Sequence, residues 1–306
     1  MTAWLLKRLL GAAATLLGTS LVVFLIAHAV PADPVAAFVG PHTDKATRDS
    51  IRREMHLDDP LAVQYLRFLG DAARGDLGRS NVTREPVTGA ILARFPATLA
   101  LSLGGLLIWL AVGVPLGVLT AKYRDRPVDR VVLVLATVTV SVPTFWLGRL
   151  LQFELAYRLG WFPVAGLLSW TGLVLPAVTL GVVEAGYYAR LVHGNMIEVL
   201  NQDYIRTARA KGAGAWRVVN RHALKNALIP VVTIVGLQVG AILEGALVTE
   251  TVFSWPGVGK LAVESIFSRD FPVVQGIVLL SALSYMFANL LVDLVYAWLD
   301  PRISYS

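Results

Sequence analysis

The chain has 306 residues, of which 56% are hydrophobic and 16% are charged, and its formal net charge is +6. Soluble domains carry about 25% charged residues, so this composition, with a mean hydropathy of +0.62, indicates a membrane protein. Because the sequence contains no cysteine, it excludes disulfides, thiolate zinc sites, iron–sulfur clusters and cysteine nucleophiles. The basic residues lie between apolar runs, so we attribute the charge to membrane topology and expect no nucleic-acid partner.

Six apolar runs predict membrane-spanning helices, since a bilayer core is crossed by about 20 helical residues. They occupy residues 9–30, 97–121, 131–157, 173–191, 229–251 and 273–299. The first run also fits a signal peptide, because Lys7 and Arg8 precede it and Ala27-His28-Ala29 stands near its end. It is long for a signal peptide, which favours a retained helix. The sequence therefore predicts an all-α polytopic protein with about six transmembrane helices.

The distribution of lysine and arginine among the loops predicts the orientation. With the N-terminus inside, the short loops at 122–130 and 190–227 are cytoplasmic and carry four and seven basic residues, whereas the opposing loop at 158–172 carries one. The loop at 31–96 carries nine, but long segments cross membranes largely regardless of charge. We therefore expect both termini in the cytoplasm, and the segments 31–96 and 252–272 outside.

The long loop at 31–96 predicts a small external helical subdomain. Thr43 or Asp44 can cap a helix that runs to Met55, and the sequence Asp58-Asp59-Pro60 favours the start of a second helix. Such a pair of helices would lie on the external surface of the cytoplasmic membrane.

Several polar residues stand within the apolar runs, where a charge costs about 2.5–3.5 kcal/mol at the helix centre on insertion scales, and three of them are candidate functional residues. They are Glu184, Gln238 and Glu244. Gly236, Gly240 and Glu244 recur every four residues and so share a helix face of the GxxxG type, which packs against protein rather than lipid. This pattern leaves two interpretations open: an interhelical hydrogen bond, or a position that lines a water-filled translocation path.

Several kinds of enzyme chemistry are missing from the sequence. No GxxxxGK[ST] stretch occurs, and the glycine-rich segment at 257–260 lacks the spacing of a P-loop. The five histidines form no HExxH or similar ligand pair, and no nucleophile elbow is present. We therefore expect a protein that is not an enzyme and that holds no metal and no cofactor.

A polar stretch at 202–212 predicts a short cytoplasmic helix that ends at Gly212. Its pattern suits a solvated surface helix or a helix that docks into a partner. The segment DYIRTARAKG at 203–212 resembles the coupling motif of binding-protein-dependent ABC importers, in the version found in the dipeptide/oligopeptide/nickel permease family. Many importers have a glutamate where this chain has Arg206, a departure that the peptide subfamily shares.

Further stretches resemble the same family in the same order, so the resemblance covers essentially the whole chain. They are KRLL at 7–10, HLDDP at 56–60, GDLG at 75–78, HALKNALIP at 222–230, TETVFSWPGVG at 249–259, RDFPVVQ at 269–275 and LDPRI at 299–303. The resemblance implies an N-terminal transmembrane helix at 1–30, an external helical subdomain at 31–96, and a MetI-like importer permease domain at 97–306 with its coupling loop at 190–227.

The resemblance also implies partners and residue roles. The expected partners are a second homologous permease subunit, two ATPase subunits that bind ATP and Mg, an extracytoplasmic solute-binding protein and the lipid bilayer. The implied ATPase-coupling residues are Asp203, Tyr204, Arg206, Thr207, Ala208, Arg209, Ala210, Lys211 and Gly212. An external gate or binding-protein contact is implied for Glu250, Phe253, Pro256, Gly257 and Gly259, and a translocation path for Glu184, Gln238 and Glu244.

The predicted function is therefore import of di- or oligopeptides through a bacterial or archaeal cytoplasmic (inner) membrane. Nickel, metal chelates and glutathione are alternative substrates, because the family handles them and the separate binding protein mostly sets specificity. An ion-gradient-driven transporter, with Glu184 and Glu244 as proton sites, is a second hypothesis, but it does not explain the segment at 203–212.

Overall fold

The computed structural model describes the backbone of residues 2–29, 35, 44–54, 56–167 and 169–299; within these ranges the side chains at 2–5, 7, 9, 233, 236–245 and 291–299 are not described. The described residues form helices and connecting turns, with one isolated β-bridge between Arg79 and Pro86 and no strand. The predicted all-α fold class is therefore confirmed.

Thirteen α-helices, numbered in chain order, occupy the described ranges. They are α1 (Thr2–Ala29), α2 (Lys45–Glu54), α3 (Leu61–Ala73), α4 (Val87–Lys122), α5 (Pro127–Ser141), α6 (Thr144–Leu151), α7 (Val174–Leu200), α8 (Asp203–Ala210), α9 (Ala215–Arg217), α10 (Leu224–Ala227), α11 (Ile229–Val252), α12 (Val258–Phe267) and α13 (Phe271–Leu299). Two π-helices (Gln152–Arg158 and Val218–Ala223) continue α6 and α9, and a 3-10 turn (Trp170–Leu173) leads into α7.

Within the described residues, four helical segments are long and apolar enough to cross a membrane. These are Leu10–Ala29, Val87–Lys122, Trp170–Leu200 and Phe271–Leu290, and the bent pair of α5 with the segment 144–158 supplies a fifth. The remaining predicted run, 229–251, coincides with α11, a helix of 24 residues. The helices thus account for all six predicted runs.

The third predicted span is broken, so the expectation of one uninterrupted helix over 131–157 is wrong. The axis bends by 100° between α5 and α6. Val142 stands at the break in an extended conformation, with φ −80° and ψ 124°. It precedes Pro143, whose ring disfavours a helical conformation at the residue before it and whose nitrogen has no hydrogen to donate. The helix therefore ends at Ser141 and restarts after the proline.

The chain divides into two compact units, and the larger contains residues 97–259 with 288–296. In this unit α4 packs on α7 through glycines. A Cβ on Gly105 would lie 2.8 Å from Leu180 Cδ2, and a Cβ on Gly117 would lie 2.5 Å from Ala189 O. Residues later in α4 contact residues later in α7, so the two helices are parallel. A parallel pair requires an odd number of crossings between them, so the bent pair is a broken span and not a re-entrant loop.

Helix α11 runs antiparallel to α7. Asn195, late in α7, donates from Nδ2 to Ala227 O just before α11 begins, and Phe253, just after α11 ends, packs on Leu175 at the start of α7. The loops therefore gather at two ends of the unit. Gly166 N, between the π-helix and α7, donates to Phe253 O at 2.9 Å, so these two loops share one end. The turn between α4 and α5 lies with α8 at the other.

The smaller unit contains residues 1–96, 260–287 and 297–306. Asp44 caps α2, since its Oδ2 accepts a hydrogen bond from Thr47 N at 3.0 Å. Helix α3 packs on α1: the hydroxyl groups of Tyr65 and Ser20 are hydrogen-bonded at 2.9 Å, and Phe24 is 4% exposed beneath the Tyr65 ring.

A buried carboxylate fixes the start of α13 in the smaller unit. Asp270 Oδ2 accepts from Ser80 Oγ at 2.5 Å, and Oδ1 accepts from Asn81 N at 2.9 Å. Just beyond, a Cβ on Gly276 would lie 2.6 Å from Val87 Cγ1. The first turns of α4 and α13 therefore lie side by side, at the same end of the unit.

Candidate functional site

Helix α8 is short, and its ends are defined by the local sequence. Gln202 precedes it in an extended conformation, and Gly212 follows it with φ +81°, which glycine adopts without strain. Gly212 N donates to Arg209 O at 3.0 Å and Ala213 N donates to Ala208 O at 3.1 Å. This pair of bonds is a Schellman cap, so the glycine stops the helix and turns the chain.

Two contacts hold α8 against the membrane helices. Ile205 is fully buried and packs in a cluster with Met196 of α7 and Val218 of the π-helix that follows α9. Tyr204 Oη accepts a hydrogen bond from Asn226 Nδ2 of α10 at 2.7 Å. Helix α8 is therefore held both to α7 and to the segment that leads into α11.

The rest of α8 is open to solvent. Asp203, Tyr204, Arg206, Thr207, Arg209, Ala210, Lys211 and Gly212 are exposed, and Ala208 is partly exposed. Arg206 and Asp203 approach to 3.5 Å, but both side chains are at least 80% exposed, so this pair contributes little, about 0–1 kcal/mol. The sequence-predicted coupling residues are thus exposed around most of α8, which carries a net basic charge and has Ile205 as its buried side chain.

Of the predicted path residues, the structure describes the side chain of Glu184. It lies half-buried on α7, one turn before Tyr188. Tyr188 is fully buried and stacks on Trp109 of α4, with ring centroids 4.9 Å apart. Gln238 and Glu244 lie on α11, and their side chains fall outside the described residues.

The predicted gate residues lie at the opposite end of the larger unit from α8, and Glu250 is fully buried there. Its Oε1 accepts a hydrogen bond from Thr98 Oγ1 at 2.6 Å. Thr98 Oγ1 in turn accepts from Val258 N at 2.8 Å, and Trp255 N donates to Glu250 O at 2.8 Å. The carboxyl group therefore joins the start of the second predicted span to the end of α11 and the loop beyond it.

The glycines of this loop are required by the same carboxyl group. A Cβ on Gly257 would overlap the Glu250 carboxylate, and one on Gly259 would lie 2.6 Å from Leu247 Cα. Phe253, Gly257 and Gly259 are buried, and Pro256 is exposed. Four of the five predicted gate residues thus lie inside the unit, and Pro256 is the one on its surface.

Sequence reasoning missed Thr98 and Trp255, which complete this junction. Trp255 is 1% exposed, and its Nε1 donates to Ala97 O at 2.8 Å. Thr98 lies 152 residues from Glu250, and no periodicity links positions so far apart. The available signal was a threonine at the very start of an apolar run, where a polar residue requires a partner. Among the described residues, no group of three histidine or acidic side chains could hold a metal ion.

Comparison with known proteins assigns the family. Residues 113–305 match the model of the binding-protein-dependent transport system inner membrane component, and residues 1–102 match that of its N-terminal part. The chain is 43% identical over 306 residues to the glutathione transport system permease protein GsiC of Salmonella paratyphi A, with 100% of both chains covered. It is 41% identical over the same length to the protein of that name from Escherichia coli K12.

Solved structures share the fold at low sequence identity. A structure of the MetNI methionine ABC transporter in an inward-facing conformation gives a TM-score of 0.55 at 20% identity, and covers 69% of this chain and 98% of that one. An amino acid ABC transporter gives a TM-score of 0.52 at 15% identity, with 68% and 93% covered. These matches show a shared fold. The family models and the full-length relatives establish that the chain belongs to the binding-protein-dependent inner-membrane components of ABC importers. It is a transport subunit, not an enzyme, and works with separate ATPase and substrate-binding proteins.

Proposed function

We propose that the chain is the permease of an importer for short peptides, and that glutathione is the first substrate to test. The full-length identity of 43% to a glutathione permease carries this proposal. Glutathione is itself a tripeptide, so it belongs to the class of di- and oligopeptides that the sequence resemblance implies. Nickel and metal chelates are the alternative substrates.

The coupling role of α8 is part of this proposal. An ATPase subunit can bind the exposed basic surface of α8. A displacement of α8 would then be transmitted to α7 by the buried Ile205 side chain. Ala208 is small and partly exposed, which suits a close approach of the partner. The full complex would contain a second homologous permease and two ATPase subunits.

The proposed orientation puts α8 and both termini in the cytoplasm. The two short loops richest in lysine and arginine, 122–130 and 190–227, lie at one end of the larger unit, which agrees with the positive-inside rule for short loops. The solute-binding protein would then dock at the other end, where Pro256 is exposed. The buried Glu250 junction would keep that end closed, and Glu184, Gln238 and Glu244 would line the path.

The same proposal divides the chain into three parts: a first span at 1–30, an external subdomain at 31–96 and a permease domain at 97–306. Two observations support this division. The family models change over between residues 102 and 113, and α2 and α3 are amphipathic helices too short to span a bilayer.

The experiment is uptake by the complete complex in proteoliposomes. Labelled glutathione, a dipeptide, a tetrapeptide and nickel are offered with ATP inside, with the binding protein outside. We expect ATP-dependent uptake of glutathione that persists when an ionophore collapses ion gradients. Uptake that follows a proton gradient without ATP would refute the importer mechanism. Uptake of nickel without any peptide would refute the substrate class.

A further inference from the structure

A buried polar network at the α8 end of the larger unit has no part in the coupling scheme above. Asp129, in the first turn of α5, is 6% exposed, and Thr120, near the end of α4, is fully buried. His193 of α7 completes the network with a side chain that is 16% exposed. The network therefore joins three membrane helices close to α8.

The hydrogen bonds define which nitrogen of the His193 ring carries a hydrogen. Thr120 Oγ1 donates its single hydrogen to Gly117 O at 2.9 Å. The hydroxyl oxygen is thus the acceptor for His193 Nδ1, 3.0 Å away. Nδ1 carries a hydrogen in either charge state, and the ring becomes a cation when Nε2 is protonated as well.

One oxygen of Asp129 has a donor and the other has none. Oδ2 accepts from Asp125 N at 2.9 Å, which fixes the turn where Asp125 has φ +64°. Oδ1 is buried without a hydrogen bond in the described part of the chain, and His193 Nδ1 lies 3.6 Å from it. A buried carboxylate is costly unless it is paired, and a protonated His193 is the cation within reach.

We propose that His193 and Asp129 form a proton-dependent link between α7 and α5, and that His193 is a positioning residue for α8. The imidazolium attracts Asp129 Oδ1, whereas the neutral ring offers only its hydrogen bond to the threonine. Met196, one turn further along α7, packs in the same core as Ile205 of α8. Closing the link therefore fixes the end of α7 that carries α8. This inference rests on the proposed coupling function.

Other charged groups on the elements packed around His193 are exposed to solvent, which screens them. They are Lys122 at the end of α4, Arg124, Asp125, Arg126 and Arg130 around the start of α5, Arg190 and Glu198 on α7, Arg221 on the π-helix that follows α9, and Lys225 on α10. His222, on the same π-helix, is half-buried and is tested as the control below. Asp129 is therefore the buried charge that responds to protonation of the ring.

The test measures substrate imported per ATP hydrolysed by the complete complex in proteoliposomes. Because a lower pH favours the imidazolium form, which closes the link, we expect this ratio to be about threefold higher near pH 6 than near pH 8. His193→Gln keeps a donor for Thr120 but cannot titrate, and Asp129→Asn removes the charge with little change of shape. Both variants should give a ratio that no longer depends on pH. The control His222→Gln, on the neighbouring π-helix, should keep the profile of the unchanged protein.

The proposal is overturned if the unchanged protein shows no pH dependence, or if both variants retain it. It is also overturned if the variants lower the yield of assembled complex but leave the pH profile of the remaining transport unaltered, because the network would then be structural only. A failure of the proposed function is seen separately, as an absence of ATP-driven import by the unchanged chain.

Discussion

Replacing Thr98 by valine should destabilise the larger unit far more than the small change in side-chain shape suggests. The side chain is 3% exposed, and valine has nearly the same shape but no hydroxyl group. The change leaves the Glu250 carboxyl and Val258 N–H without this partner. The unsatisfied Val258 N–H costs about 1–3 kcal/mol, and loss of the hydrogen bond to the carboxyl group costs a similar amount, so we expect a total loss of about 2–6 kcal/mol.

The assay is reversible unfolding of the purified chain in mixed micelles, followed by tryptophan fluorescence. Thr98→Ser is the matched control, because it keeps both hydrogen bonds and removes one buried methyl group, a loss of about 1 kcal/mol. A double-mutant cycle with Glu250→Ala isolates the contact. The two changes should be non-additive by about 0.5–3 kcal/mol, as for residues in direct contact.

The reasoning would be refuted if Thr98→Val lay within about 0.5 kcal/mol of the unchanged protein, which is typical of surface substitutions. Strict additivity with Glu250→Ala would also refute it, since the two side chains would then stabilise the unit independently.

The remaining predictions concern topology and glycine. Because the chain has no natural cysteine, Ser50→Cys should react with an impermeant thiol reagent in intact cells and Arg209→Cys should not; the reverse pattern would contradict the orientation. Gly212→Ala should weaken retention of the ATPase, because alanine at this positive φ is strained by about 1 kcal/mol. The control Gly214→Ala, at φ −64° with open space around it, should have no effect. Equal effects of the two changes would exclude strain as the cause. Gly117→Ala places a methyl group 2.5 Å from a carbonyl oxygen of α7 and should destabilise the α4–α7 pair by about 1–3 kcal/mol in unfolding assays; an unchanged stability would contradict the close packing.

Local patterns in the sequence predict the helices and several of their ends. The apolar runs predict where spans lie because a bilayer imposes a length on any helix that crosses it. The cap at Asp44 and the stop at Gly212 depend on neighbouring residues only, so they too can be read from the sequence.

The break at Val142 was missed for a different reason. Mean hydropathy treats a run of apolar residues alike, whereas Pro143 acts on the backbone of a single neighbour. The dipeptide was visible in the sequence, but its effect on a membrane helix depends on whether the surrounding helices satisfy the freed backbone groups. The position of the break is therefore set by Pro143, whereas the 100° angle is seen only in the folded structure.

The residues of the candidate site also differ in whether the local sequence predicts their environment. The exposed face of α8 follows from its composition and cap, which are local. The burial of Glu250 does not, because it depends on Thr98, 152 residues away in the chain. The pairing of Asp129 with His193 likewise requires α5 and α7 to be packed first. In each case the missing information was a contact between helices.

The buried core of the larger unit determines where a movement of α8 can go. Ile205 belongs to one continuous cluster that extends along α7 through Met196 and Val192 to Tyr188 and the Trp109 ring beneath it. Protein interiors are densely packed, so a displacement at one end of such a cluster is not absorbed locally. The opposite end is held by Glu250 and its hydrogen bonds. In the proposed coupling, a displacement of α8 would therefore act on the middle of α7, where Glu184 stands, before it reached the Glu250 end.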